Sequence, residues 1–254
     1  IDSTLLNLHV YKPLNFQKDS IYNCIVFFHG GGWNNGSPKM FKRQSMYFAS
    51  RGMIAIAAEY RIKNKHNTTP FEAVEDAKSA IRFVRENAKE LNINPNMIVA
   101  GGGSAGGHLA AACGNIEGLD NPKENLKISS VPNALVLLNP VIDNGPNAFG
   151  YRRFKNRYTE ISPIHNISKG APPTLILIGT KDKIIPVSTV KNYQTNMKTV
   201  GSRCELVLYK DVGHAFFAKP PLKYFIETTL EIDLFLNSLS YITGSPTIKK
   251  QYQY

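Results

Sequence analysis

Short runs of consecutive apolar residues recur along this chain, and segments with helical periodicity separate them. Residues 54–58 and 135–138 are two such runs. Strands made of uninterrupted apolar residues are typically buried on both faces of a sheet, and strands that alternate with helices form βαβ units. The pattern therefore predicts an α/β fold in which helices cover both faces of a mainly parallel central sheet.

The same periodicities place the individual elements. Strands are predicted at about 4–11, 23–28, 53–59, 97–101, 133–138, 173–178 and 204–209. Helices are predicted at about 39–50, 70–90, 104–114, 187–200 and 222–239. We interpret the chain as a single domain over 1–254, with a C-terminal tail at about 241–254. An irregular segment at about 143–173 is interpreted as a short lid or substrate wall, since long loops inside compact domains are usually functional.

The residues around Ser104 combine a motif with a fitting structural context. Gly102, Ser104 and Gly106 form Gly-x-Ser-x-Gly, with a predicted strand before them and an Ala-rich helix after them. In this arrangement a serine lies on a sharp strand-to-helix turn, and the helix N-terminus beside it favours negative charge. Ser104 is therefore a candidate nucleophile, and an ordinary glycine-rich turn is the alternative interpretation.

A second glycine-rich loop follows the predicted strand at 23–28, with the sequence His-Gly-Gly-Gly-Trp at 29–33. Acyl transfer creates a negatively charged oxygen that needs fixed hydrogen-bond donors, and backbone N–H groups supply them. The expected donors of this oxyanion hole are the N–H groups of Gly31, Gly32 and Ala105. His29 is expected to hold the loop in place by hydrogen bonding rather than to act as a base.

Asp182 and His214 each follow a predicted strand. A serine hydroxyl is a poor nucleophile without a base to accept its proton, and a histidine needs an acid to orient it. Ser104, Asp182 and His214 occur along the chain in the order of the α/β-hydrolase triad. We therefore expect the three side chains to converge in space. Taken alone, Asp182 also fits an ordinary turn aspartate.

With these motifs the chain resembles the bacterial α/β-hydrolase esterases related to hormone-sensitive lipase and to acetyl esterases acting on plant-polysaccharide side groups. The resemblance covers about 5–239 and rests on the motifs at 29–33, 59–61, 102–107, 179–182 and 213–216. It implies the α/β-hydrolase fold, the triad and the oxyanion hole named above.

The chain departs from lipase-like members of that group in its cap. Those members usually carry a long N-terminal cap, whereas 28 residues precede His29 here. A minimal cap leaves the serine in an open cleft, which favours a bulky or polymeric substrate that presents a small acyl group. The candidates for contact with that substrate are Trp33, Tyr151 and His165, and simple packing is the alternative for Trp33.

The leading functional interpretation is hydrolysis of a small ester or an acylated polysaccharide, above all deacetylation of a carbohydrate. Feruloyl or aryl ester hydrolysis, arylformamide hydrolysis, and peptidase or amidase action on the same fold are alternatives. A ligand-binding protein on a hydrolase scaffold is a further alternative, although such proteins typically lose a triad member.

Composition narrows the partners. The net charge is +11, and the basic residues are scattered, which fits either a lysine-rich solvated surface or attraction to an anionic partner. The sequence indicates no nucleic-acid binding, no membrane span, no metal and no cofactor. Secretion or a periplasmic location after removal of a signal is favoured over a cytoplasmic one. The oligomeric state is left open.

Overall fold

The computed structural model describes residues 4–253, so residues 1–3 and 254 of the predicted domain lie outside it. Within that range one seven-stranded sheet forms the centre of the fold, in the order β1-β3-β2-β4-β5-β6-β7. Only β1 is antiparallel to its neighbour among these strands. The strands are β1 (Leu8–Tyr11), β2 (Tyr22–Phe28), β3 (Ile54–Ala58), β4 (Ile93–Gly103), β5 (Ala134–Leu138), β6 (Thr174–Gly179) and β7 (Cys204–Tyr209).

Helices cover both faces of this sheet, which confirms the predicted fold class. They are α1 (Lys42–Ser50), α2 (Lys63–His66), α3 (Pro70–Glu86), α4 (Ala105–Asn115), α5 (Tyr151–Phe154), α6 (Val187–Thr199), α7 (Leu222–Ser238) and α8 (Ile248–Gln251). Alternate residues of β2 show why two layers are needed. Val26 and Phe28 belong to the apolar cluster that includes α3, α4 and α6, whereas Ile25 and Phe27 belong to the cluster that includes α1 and α7.

The predicted boundaries move where local hydrogen bonding overrides the apolar pattern. Helix α3 begins as predicted, with Thr69 and Glu72 forming a capping box, but it ends at Glu86 because turns occupy the next residues. Strand β4 begins at Ile93, earlier than predicted, because Ile93 pairs with Tyr22 before a register shift in the ladder. Helix α1 begins at Lys42 because Pro38–Phe41 form a 3₁₀ turn instead.

The segment at 143–173 is packed onto the carboxyl end of the sheet. It contains α5 and two 3₁₀ turns, Lys155–Glu160 and Pro163–His165. Phe154 and Ile161 are buried, and the Ile161 carbonyl accepts a hydrogen bond of 2.8 Å from His108 Nε2. The sequence pattern failed to show this order because the helical pieces are too short for periodicity.

The residues after α7 also pack against the fold. Tyr241, Ile242 and Ile248 are buried against the face that carries α1 and α7. Asp233 in α7 accepts hydrogen bonds from Tyr47 Oη (2.5 Å) and Arg51 Nε (2.7 Å). Arg51 continues to the carbonyls at 243 and 244, so a buried carboxylate ties the C-terminal segment to α1.

Candidate active site

Ser104 lies on the turn between β4 and α4 in a strained backbone conformation. Its φ of 54° and ψ of −117° are values that residues other than glycine rarely adopt. The flanking glycines allow the turn. A Cβ on Gly102 would lie 2.4 Å from the Gly106 carbonyl, and one on Gly106 would lie 2.0 Å from the Phe28 oxygen. The motif thus reflects close backbone contact between β4, α4 and β2.

The three predicted triad side chains meet at the carboxyl ends of β4, β6 and β7. Ser104 Oγ lies 2.8 Å from His214 Nε2, and His214 Nδ1 lies 2.7 Å from Asp182 Oδ2. Because Nδ1–H donates to the carboxylate, Nε2 is left as the acceptor for the serine hydroxyl proton. This is the geometry in which a histidine acts as a general base toward a serine.

Asp182 is held in its ionised form. Its side chain is fully buried, and its Oδ1 accepts backbone hydrogen bonds from Ile184 (2.9 Å) and Ile185 (3.0 Å). Burial raises the pKa of this carboxyl, but the hydrogen bonds from His214 and from the two backbone N–H groups outweigh burial and lower it below its ordinary value. A carboxylate that stays charged keeps the His214 ring oriented and stabilises its protonated form.

The glycine loop after β2 lines the same cleft as Ser104. The Gly31 carbonyl accepts hydrogen bonds from Asn34 and Asn35, and a Cβ on Gly31 would lie 2.0 Å from the Asn35 oxygen. Within residues 4–253, the N–H groups of Gly31, Gly32 and Ala105 have no hydrogen-bond acceptor. An oxyanion needs backbone donors of this kind, so these three N–H groups remain the candidates for an oxyanion hole.

Two side chains hold the start of this loop. His29 Nδ1 donates to the Gly30 carbonyl at 2.7 Å, and its ring stacks on Tyr60 at 4.2 Å. Burial lowers the pKa of His29, so the ring stays neutral while it holds the loop in place. Met40 accepts a hydrogen bond on its sulfur from the Gly30 N–H, with an N–S distance of 3.3 Å.

A small cleft opens above Ser104. Its volume is about 230 Å³, and mostly apolar or backbone groups surround the serine there. Phe149, Ile184, Met40 and Phe217 are among the side chains that line it. The cleft is smaller than the roughly 300–1,000 Å³ typical of sites for drug-sized ligands. It therefore fits a small group next to the serine.

None of the three predicted substrate contacts lines this cleft. Trp33 is 1% exposed and packs edge-on against His108 and Phe154, so it belongs to the core. Tyr151 lies in α5, 6.0 Å from the Tyr158 ring. His165 donates to or accepts from Ser162 Oγ at 2.9 Å and lines a separate cavity beside α6. Phe149, from the same segment, reaches the cleft instead.

Asn139 is a site residue that the sequence reasoning missed. It directly follows β5, is fully buried and has a φ of 36°. Its Oδ1 accepts from the Ala215 N–H at 3.2 Å, and its Nδ2 lies 3.4 Å from His214 Nε2. The available signal was position: β5 lies between the strands that carry Ser104 and Asp182, and a polar residue ends its apolar run.

Other site types lack support in the described part of the chain. No group of three His, Cys, Asp or Glu side chains in residues 4–253 is arranged to hold a metal ion. The helices of this range all fall short of the length and apolar character that crossing a bilayer demands. Cys24, Cys113 and Cys204 are buried and unpaired, as expected for structural thiols.

Comparison with known proteins places this site in a family. The BD-FAE family model matches residues 8–150, which is more than half of the chain. The chain belongs to the BD-FAE family. A model of the dienelactone hydrolase family matches residues 142–229, the part that contains Asp182 and His214.

Solved structures of similar sequence share the whole fold of this BD-FAE protein. Apo Thermogutta terrifontis esterase 2 is 40% identical with a TM-score of 0.92, and the match covers 96% of this chain and 94% of that one. Structures of that esterase also include a propionate-bound form, with a TM-score of 0.91, and a form phosphorylated by paraoxon. The described strands, helices and loops are therefore those of an α/β-hydrolase.

More distant relatives are longer proteins. The isoprenylcysteine alpha-carbonyl methylesterase ICME of Arabidopsis thaliana is 27% identical, over 85% of this chain and 55% of its own length. An acetylxylan esterase of Xylanibacter ruminicola is 28% identical, over 85% of this chain and 45% of its own length. The chain thus spans about half the length of the curated relatives it matches.

Proposed function

We propose that this BD-FAE protein is a serine carboxylic ester hydrolase that removes acetyl or other small acyl groups from a carbohydrate. The observation that carries the proposal is the unbroken chain of hydrogen bonds from Ser104 through His214 to Asp182. A serine placed in such a chain, beside free backbone donors, is equipped for acyl transfer.

The reaction runs in two halves. Ser104 Oγ attacks the ester carbonyl while its proton passes to His214 Nε2, and the carbonyl oxygen becomes an oxyanion. The N–H groups of Gly31, Gly32 and Ala105 donate to that oxyanion. The C–O bond to the alcohol then breaks, and the alcohol leaves with the proton from His214. Water, deprotonated by His214, attacks the acyl-enzyme and releases the acid and the free serine.

The small acyl group follows from the size of the cleft. About 230 Å³ next to Ser104 suits an acetyl, propionyl or butyryl group better than a long chain. The similar Thermogutta terrifontis esterase 2 has been solved with propionate and with butyrate bound. The carbohydrate part rests on the acetylxylan esterase relative and on the openness of the site to larger cavities.

Acetate release from acetylated xylan is the direct test, with 4-nitrophenyl acetate as a small reference ester. We expect Ser104→Ala to lower the rate on both esters by at least about 10³-fold, because the nucleophile is lost. Ser188→Ala is the control, since Ser188 is exposed on α6. Equal acetate release by wild type and Ser104→Ala would refute the nucleophile assignment. Hydrolysis of feruloyl esters in preference to acetates would move the substrate to the feruloyl class.

Covalent labelling tests the nucleophile without a choice of substrate. Paraoxon phosphorylates the similar esterase 2, so we expect it to add one diethylphosphoryl group here. The wild type and Ser188→Ala should gain that mass, and a peptide digest should place it on Ser104. An unlabelled wild type, or a labelled Ser104→Ala protein, would contradict the role proposed for Ser104.

A further inference from the structure

Two cavities, each larger than the cleft itself, flank the cleft at Ser104. The first flanking cavity has a volume of about 640 Å³ and shares Met40 and Phe217 with the cleft. The second flanking cavity has a volume of about 600 Å³ and shares Ile184 and His214 with the cleft. An acyl group inside the cleft reaches neither of them. A substrate group that fills the flanking cavities must therefore belong to the alcohol portion of the substrate, or to a part of the substrate further from the ester.

The flanking cavities are strongly basic. Five cationic side chains, all exposed, line them, and we term these the groove cations: Lys39, Arg43, Lys181, Lys183 and Lys219. Of the residues that the structure describes, Asp211 is the only carboxylate that lines either cavity, and it lies 3.1 Å from Lys181. Among residues 4–253, the other four groove cations have no carboxylate within 4.0 Å.

The location of these charges matters more than their number. Many lysines of a chain with a net charge of +11 are scattered over its surface. The groove cations instead converge from three parts of the chain that are distant in sequence: the 3₁₀ turn at 38–41 with the start of α1, the loop after β6 and the loop after β7. A cluster of one sign around a concave site attracts ligands of the opposite sign and raises their local concentration.

Resting on the proposed function, we propose that the flanking cavities are subsites for a carboxylate-bearing polysaccharide, so that the substrate is an acylated acidic, uronate-containing polymer. Its acyl group enters the cleft at Ser104, and its neighbouring sugar units lie across the two cavities. There their carboxylates face the groove cations. Tyr224 in the second cavity presents an aromatic ring for contact with the apolar face of a sugar.

Charge reversal in the first cavity tests this inference away from the triad. The variant is Lys39→Glu combined with Arg43→Glu. Arg43 lies in the first turn of α1, where a carboxylate is favourable to the helix dipole, so the fold should tolerate the change. The matched control is Lys18→Glu combined with Lys89→Glu. Both control residues are exposed, and they lie near Asn92, at the amino end of β4.

The measured quantity is the ratio of kcat/KM on acetylated polygalacturonate to kcat/KM on 4-nitrophenyl acetate. We expect the cavity variant to lower this ratio about tenfold, and the control variant to leave it unchanged, because exposed charge pairs each contribute modestly. Raising the salt concentration should lower the wild-type ratio, whereas acetylated mannan, a neutral polymer, should show no salt dependence.

The outcomes of this experiment distinguish a failure of this inference from a failure of the proposed function. Equal ratios in the wild type, the cavity variant and the control variant would overturn the inference and leave the esterase proposal intact. Equal losses in both variants would also overturn it, because net charge alone would then explain the preference. A wild-type protein that hydrolyses neither 4-nitrophenyl acetate nor any polymer would overturn the proposed function and this inference with it.

Discussion

At the scale of single residues, the site depends on side chains that take no part in the proposed chemical steps. Asn139 is the clearest case, since it links the loop that carries His214 to the end of β5 through the Ala215 N–H. Its amide nitrogen also approaches His214 Nε2, the atom that must receive the serine proton. If His214 moved by less than an ångström, the protein would still fold and bind its substrate. The ring would, however, accept the serine proton poorly.

We therefore expect Asn139→Ala to act on kcat and leave KM for 4-nitrophenyl acetate nearly unchanged. A loss of about tenfold in kcat, equivalent to about 1.4 kcal/mol, is the size expected for a positioning residue. Asn115→Ala is the matched control, because Asn115 is also buried and bonded, but to Tyr193 Oη. A kcat that falls equally in both variants would identify a general loss of stability as the cause.

His108 connects one residue to the acid stability of the whole protein. It is fully buried, and its Nε2 donates to the Ile161 carbonyl. Burial lowers the pKa of His108 from the ordinary 6.5 to about 4. In the unfolded chain the ring binds a proton readily below pH 6.5, whereas in the folded chain it resists protonation. Its contribution to stability is thus complete above pH 6.5 and is lost as the pH falls toward 4.

His108→Gln should flatten this pH dependence while keeping a hydrogen-bond donor. Between pH 7 and pH 5 the wild type should lose about 2 kcal/mol of unfolding free energy through His108, at about 1.4 kcal/mol per pH unit. Urea titrations of both proteins at the two pH values measure the difference. If wild type and variant lose the same amount, protonation of His108 does not control acid stability.

At the scale of elements, buried polar contacts hold α7, α1 and the C-terminal residues together. The carboxylate of Asp233 joins α7 to α1, and through Arg51 it holds the residues that lead to α8. The carboxylate is fully buried and the Arg51 side chain is 9% exposed. Removing one partner of such a pair leaves the charge of the other buried without a counter-charge.

Asp233→Asn should therefore lower the unfolding free energy by about 3 kcal/mol. Glu160→Gln is the control. It also removes a carboxylate bonded to an arginine, but the side chains of Arg157 and Glu160 are 61% and 46% exposed. Such exposed pairs contribute about 0–1 kcal/mol. Denaturant titrations of the two variants should differ clearly, and a similar small effect in both would show that the buried pair is dispensable.

At the scale of the whole molecule, the triad draws one residue from the centre of the sheet and one from its border. Ser104 follows β4, which has strands on both sides, whereas His214 follows β7, which ends the described sheet. Edge strands with half-exposed side chains open more readily than central ones. Because the proposed reaction needs both Ser104 and His214, fraying of β7 should abolish hydrolysis while β4 and the core remain folded.

Activity should consequently disappear at a lower urea concentration than the core structure. Trp33 is the single tryptophan and is buried in the core, so its fluorescence reports on the core. We expect the midpoint for 4-nitrophenyl acetate hydrolysis to precede the fluorescence midpoint. Coincident midpoints would mean that the site and the core unfold as one cooperative unit.

The fold was predictable from the sequence because the patterns that indicate it are local and repeated. Residues buried on both faces, such as Leu135 in β5, appear in the sequence as uninterrupted apolar runs. The proposed triad was accessible for a similar reason: each member lies at or shortly after the end of a strand, and the carboxyl ends of parallel strands share one edge. That these three side chains converge was itself a prediction, and the distances agree with it.

The substrate contacts were not accessible in the same way. An aromatic residue after the glycine loop, Trp33, fits a pocket wall and a core position equally well until long-range packing is known. Phe149 and Asn139 reach the cleft through left-handed or irregular backbone near them, which no periodicity encodes. The groove cations come together from three parts of the chain that are distant in sequence, so their clustering likewise depends on the fold rather than on any stretch of sequence.

The sulfur of Met40 gives the oxyanion loop a vulnerability to oxidation. This atom accepts a hydrogen bond from the Gly30 N–H, and Met40 lines the cleft. Peroxide converts a thioether into a bulkier, strongly polar sulfoxide, which would push on the loop that carries the Gly31 and Gly32 donors. Peroxide should abolish activity while the protein remains folded, and Met40→Leu should resist; equal inactivation of both would place the damage elsewhere. A single sulfur atom would then set how long the protein keeps its proposed activity in an oxidising environment.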